Sequence, residues 1–110
     1  MNQKEGPHWG YVVIWEFRPR KGAETRFEEA YGPKGVWARF FARGEGFVAT
    51  ELNRDLKDAG RYVTLDLWVS KDAYDTFRAA HEAKYQTIDQ QCESLTAEEK
   101  SIGAFERLGR

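Results

Sequence analysis

The sequence predicts an α+β fold of the ferredoxin-like type, β-α-β-β-α-β, with one four-stranded antiparallel sheet. Three observations predict it. Segments of strand and helix character alternate in that order along the chain. Each helical region joins two strands, so right-handed crossovers put both on one face of the sheet. No linker or low-complexity stretch interrupts the 110 residues, a length that fits one domain over residues 1–110, with residues 1–9 expected as a flexible leader.

The first strand is YVVIWEFR, residues 11–18, rich in β-branched and aromatic residues and stopped by Pro19. Residues 22–31 then place Ala23, Phe27, Ala30 and Tyr31 at helical spacing, and Gly32 and Pro33 end that helix. A short second helix carries Val36, Trp37, Phe40 and Phe41. GFVATELNR (46–54) reads as the second strand, a polar turn with Asp55, Asp58 and Gly60 follows, and RYVTLDLWV (61–69) is the third strand. Ser70 offers a side-chain cap to the next helix, with Asp72 in its first turn. Tyr74, Phe77, His81, Tyr85, Ile88 and Cys92 then recur at steps of three and four, which predicts one continuous helix with one apolar face. Thr96 and Glu99 stand at capping-box spacing and predict a further turn. SIGAFERL (101–108) is the last strand.

In the first strand Tyr11, Val13, Trp15 and Phe17 point one way, and Val12 and Ile14 the other. In the third, Val63, Leu65, Leu67 and Val69 oppose Tyr62, Thr64, Asp66 and Trp68. Both faces are apolar, yet the helices cover only one. A bare apolar face of that size is unusual on a monomer, which predicts a homodimer packed sheet against sheet.

Seventeen basic and eighteen acidic residues leave a net charge of −1 and lie interspersed along the chain. There is no basic stripe for a phosphate backbone, so nucleic acid is not expected as a partner. The lone cysteine, Cys92, forms no internal disulfide, and the polar start lacks the apolar core of a secretory signal. No window reaches membrane-spanning length, so no membrane partner is expected and the expected location is the cytoplasm. His8, His81 and Cys92 lack metal-ligand spacing, and Gly44 and Gly46 alone do not make a phosphate loop.

Three segments, WEFRPRKGAETRFEEAY, GFVATEL and DLWVSKDAYDTFRAAH, carry a resemblance to the antibiotic biosynthesis monooxygenase family of the dimeric α+β barrel superfamily. It spans roughly residues 11–107. The resemblance implies pairing as a dimeric α+β barrel and cofactor-independent oxygenation of an aromatic phenolic molecule by dioxygen. Two alternatives accompany it: a non-catalytic dimeric module binding a small apolar ligand, and a haem-binding or haem-degrading relative. The haem reading is weakened because no Asn lies between Tyr11 and Arg18 and the nearest counterpart of the relatives' helix Trp is Phe77.

Oxygenation without a cofactor requires a base near neutral pKa, a flat apolar slot and a donor for the developing oxyanion. His81 is the expected base, because imidazole titrates near neutrality. Asp66 is expected to orient it if their faces meet. Trp68, Tyr74, Phe77 and Tyr85 are expected to line the slot, with Trp37 and Phe40 closing it. For each there is a structural reading: His81 and the rings as core, and Asp66 as an ion-pair partner. Glu16 and Glu51 also lie among apolar neighbours, with Arg18, Arg54 and Arg61 available to pair with them.

Overall fold

The structure, a computed structural model, describes residues 8–109. The elements run β1 (Tyr11–Pro19), α1 (Glu24–Tyr31), α2 (Val36–Phe41), β2 (Phe47–Arg54), β3 (Tyr62–Trp68), α3 (Lys71–Ala80), α4 (Glu82–Cys92) and β4 (Thr96–Glu106). The strands form one antiparallel sheet in the order β2-β3-β1-β4. This is the ferredoxin-like arrangement that the order of apolar segments predicts. Among the described residues, no helix is long and apolar enough to cross a membrane.

The register decides which side chains share a face. Val13 pairs with Asp66, Trp15 with Thr64 and Phe17 with Tyr62 across β1 and β3, while Thr50 pairs with Asp66 across β2 and β3. These side chains lie under the helices, where Tyr11, Val13, Phe17, Tyr62 and Trp68 join Phe27, Tyr31, Trp37, Phe40, Phe41, Phe77 and Ile88 in one core. Rings supply most of it: Phe27 stacks on Tyr31 at 4.5 Å and meets Tyr62 at 5.0 Å. Phe27 and Trp68 are wholly buried, each worth about 2–3 kcal/mol from apolar area alone. On the opposite face Val12 pairs with Leu67 and Phe105, and Ile14 with Leu65, with no helix over them.

Two glycines are dictated by close approach or backbone sign. A Cβ on Gly35 would lie 2.3 Å from the carbonyl oxygens of Glu29 and Ala30, so α2 can begin directly against the end of α1 only with glycine there. Gly103, at φ 140°, sits where the β1–β4 register slips between Ile14 and Trp15, a bulge that an L side chain would strain.

Two expectations are corrected. The helix expected to run unbroken from Ser70 to Cys92 divides at His81, whose φ of −127° and ψ of 27° leave the helical region. The extra turn expected at Thr96 does not form. A 3-10 turn occupies Glu93–Leu95, and Thr96 already begins β4, which is thereby five residues longer at its start than expected. Of the expected N-terminal leader, residues 1–7 lie outside the described residues; at Trp9 the Arg107 guanidinium lies 4.9 Å from the ring centre. Glu16 pairs with Arg61 at 3.0 Å, the structural outcome, and Glu51 is exposed on β2.

Candidate active site

Between the sheet and the helices lies a cavity of about 240 Å³. Its floor comes from Val13, Trp15 and Phe17 on β1, Thr50 on β2, Thr64 and Asp66 on β3, and Glu99 on β4. Its walls are Tyr31 from α1, Trp37 and Phe41 from α2, Tyr74 from α3, and Tyr85 and Asp89 from α4. Period-two alternation delivers the floor: every second residue of a strand reaches the same face. The volume falls somewhat below the roughly 300–1,000 Å³ of drug-sized pockets, which suits a compact, flat molecule.

Asp66 and Glu99 are the floor's carboxyl groups, and Asp66 is the more deeply set of the two. Its Oδ1 accepts a hydrogen bond from Thr50 Oγ1 at 2.7 Å. Burial pushes its carboxyl up from 3.8 to about 6, the Thr50 bond opposing only part of that rise. A carboxylate flanked in sequence by Leu65 and Leu67 and facing rings has little solvation for its charge, so the neutral form is favoured. A group so placed exchanges protons close to neutral pH, the property sought in a general base.

The rest of the lining has a consistent electrostatic character. Three carboxylates, Asp66, Asp89 and Glu99, face the space, and among the described residues no Lys, Arg or His lines it. Burial and then the neighbouring Asp89 charge raise Glu99 above its usual range. Burial pushes the Tyr85 phenol up to about 12 and raises Tyr31 further, so both hydroxyls stay protonated at neutral pH. Taken by themselves, the lining carboxylates repel a ligand that arrives as an anion and admit a neutral one.

The structure brings together four of the residues singled out in the sequence: Asp66, Tyr74, Tyr85 and Trp37 line the cavity. It separates four others from it. Trp68 is wholly buried beneath the lining, with Tyr74 5.5 Å away and Phe41 5.9 Å away. Phe77 and Phe40 pack on each other at 4.9 Å in the core. His81 sits at the break between α3 and α4, its ring 4.5 Å from Phe77 and 6.1 Å from Phe40, and lines a separate, more open pocket of about 330 Å³ with Gly44, Asp72 and Phe77. The expected Asp66–His81 pair does not form. Asp66 instead bonds Thr50, a partner on another strand that only the β2–β3 register supplies. Val13, Trp15 and Phe17 were legible as one face of β1, and Thr64 as sharing the Asp66 face of β3, but Thr50, Asp89 and Glu99 carried no local signal. Among the described residues no group of three or more His, Cys, Asp or Glu side chains converges as metal ligands.

The sequence profile of a family described as antibiotic biosynthesis monooxygenase matches residues 10–85. In structure the chain is similar to SnoaB, a cofactor-independent oxygenase from Streptomyces nogalater, with 24% identity, a TM-score of 0.70, and coverage of 94% of this chain and 97% of that one. It is also similar to a Shewanella oneidensis protein at 17% identity and a TM-score of 0.65, covering 94% of this chain and 95% of that one. A Pseudomonas aeruginosa protein shows 16% identity and a TM-score of 0.60, with 93% and 97% covered. Among curated proteins no sequence matches this chain. At these identities the structural likenesses carry the fold.

Proposed function

The chain belongs to the antibiotic biosynthesis monooxygenase family, and from that premise we propose that it is a cofactor-independent monooxygenase acting on a small aromatic phenol or anthrone. One observation carries the reading: an aspartate held near pKa 6 on the floor of a ring-lined cavity. Asp66, rather than His81, is then the base. Trp15, Trp37, Phe41 and Tyr74 flank a flat ring system, and the absence of lining cations favours a substrate that enters neutral and is ionised in place.

Proton abstraction by Asp66 leaves an electron-rich anion inside the apolar slot. That anion passes one electron to dioxygen, and the resulting pair recombines with formation of a C–O bond. For an anthrone-type methylene, loss of water then leaves a carbonyl. One oxygen atom of dioxygen enters the product and the other leaves in water, so the substrate itself supplies all the electrons. Dioxygen is the one co-reactant, and a second copy of the chain against the bare sheet face is the inferred partner.

Oxygen uptake with hydroxylated naphthalenes and anthrones tests the reading. Wild type should consume oxygen with at least one of them, and kcat/KM should rise with pH through about 6, as Asp66 ionises. Asp66→Asn should lower kcat by roughly 10²-fold or more, the usual contribution of a positioned base, while His81→Ala stays within a few-fold of wild type. Full activity in Asp66→Asn would remove Asp66 from the chemistry. Tight binding of these compounds by wild type without uptake would make the chain a ligand-binding module.

A further inference from the structure

Behind two walls of the cavity stands a cation that the lining itself lacks. Arg78 lies one turn after Tyr74 on α3 and does not face the cavity. Its Nη1 donates to the Tyr74 hydroxyl at 2.9 Å, and its guanidinium carbon is 3.6 Å from the centre of the Tyr85 ring. Its Nη2 donates to Glu82 at 3.0 Å, and the other Glu82 oxygen accepts from Gln86 at 3.1 Å. Three contacts in different directions thus hold one planar group. Yet Nε is buried without a hydrogen-bond partner, so the arrangement leaves a desolvated donor unsatisfied, which a purely stabilising role does not explain.

The consequence falls on Tyr74. A phenol hydroxyl has one hydrogen to donate and an oxygen that accepts. A guanidinium only donates, so it occupies the acceptor side of the oxygen and turns the Tyr74 hydrogen away from itself. That hydrogen meets no acceptor among the described residues. The ring carrying it is fixed by Tyr11 and Trp68, each at 5.5 Å, and it lines the cavity together with Asp66 and Tyr85.

We infer that Arg78 is a positioning residue that sets Tyr74 as the donor to an oxyanion formed on a ligand in the cavity. The inference rests on reading the cavity as a site for a phenol. When Asp66 takes the proton of the ligand hydroxyl, the electron pair of the broken O–H bond stays on the ligand oxygen and Asp66 becomes neutral. The new anion is costly in an apolar slot. It accepts the Tyr74 hydrogen, with the Arg78 charge directly behind the donor, which offsets that cost without any rearrangement at the moment of transfer. The ligand class that uses such a site carries an ionisable hydroxyl on an aromatic ring and no other negative charge.

The test uses 2-naphthol, whose neutral and anionic forms absorb differently, bound to the Asp66→Asn protein, in which the amide stands in for the protonated base. The remaining titratable groups facing the ligand are Tyr31 from α1, Tyr74 from α3, Tyr85 and Asp89 from α4, and Glu99 from β4, and all are retained. The bound naphthol should ionise about 1 pH unit or more below its value in water, a tenfold or greater preference for the anion. Adding Arg78→Met or Tyr74→Phe should move that midpoint back up by about 1 unit, while Arg78→Lys keeps most of the depression. An unchanged midpoint in Tyr74→Phe, or in an Arg78→Met protein that still binds naphthol, overturns the inference and leaves the oxygenase reading standing. If Arg78→Met fails to fold, the Tyr74→Phe result decides alone. Failure of both wild type and Asp66→Asn to bind naphthol at all overturns this inference together with the reading of the cavity.

Discussion

Asp66 shows how one side chain can be costly to the fold and useful to a site. Its carboxyl is raised from 3.8 to about 6 chiefly by burial, so the folded chain binds that proton more tightly than the unfolded chain does. The stability this contributes is fully present below about pH 4 and is lost as pH rises through about 6, amounting to about 3 kcal/mol on linkage alone. Asp66→Asn removes the dependence. Urea unfolding at about pH 4.5 and about pH 7.5 should therefore show the variant gaining on wild type at the higher pH by about 1–3 kcal/mol. A difference that does not change with pH would mean that water or a neighbouring group solvates the carboxylate after all. Among the described residues, Trp68 Nε1 is buried without a hydrogen-bond partner.

The second crossover is where helical spacing and helical continuity part company. Tyr74 through Cys92 keep steps of three and four, but the chain turns at His81, so the two halves bury against different partners. α3 sends Phe77 into the core beside Trp68 at 5.4 Å, while α4 sends Tyr85 toward Trp37 at 5.1 Å. His81 lies at that break and does not line the cavity whose floor carries Asp66. A step pattern reports which residues are apolar and in what phase. It carries no information on a change of axis, because residues on either side of a kink keep their spacing. At the start of α3 local chemistry suffices, since Ser70 Oγ accepts from the Ala73 amide at 3.1 Å as its sequence position predicts. Ser70→Ala should lower stability by about 1 kcal/mol, read as a shift in the denaturation midpoint, because that amide loses its only side-chain acceptor. No shift would show that solvent satisfies the helix start equally well.

For the whole molecule, the sheet face turned away from the helices is apolar and only partly covered. Val12 and Leu67 are already buried on it within one chain, Ile14 and Leu65 are half-buried, and Phe105 stands half exposed beside Val12 on β4. A pair of chains joined there would bury an area of the order of 1,600 Å² in total, the common size of a specific interface. Sedimentation should therefore show wild type as a dimer, and Ile14→Asp with Leu65→Asp should leave a folded monomer with unchanged helix content. A wild-type chain that sediments as a monomer at micromolar concentration would end the proposal.

The element order, the strand faces, the Ser70 cap and the ring-rich core were legible in the sequence, because each follows from local spacing: period two for strands, steps of three and four for helices, a hydroxyl before a helix. Asp66, Tyr74, Tyr85 and Trp37 were legible for the same reason, each lying on the face that the pattern pointed inward. Which of the candidate titratable groups the cavity encloses was not. Whether Asp66 or His81 meets the cavity depends on the β2–β3 register that sets Thr50 beside Asp66 and on the change of axis at His81. Both are settled by packing between segments far apart in the chain. The sequence by itself determined the fold and the face on which a site could form; the tertiary structure alone decided which titratable side chain that face encloses, because burial and its effect on proton affinity arise only when distant strands and helices close around a shared space.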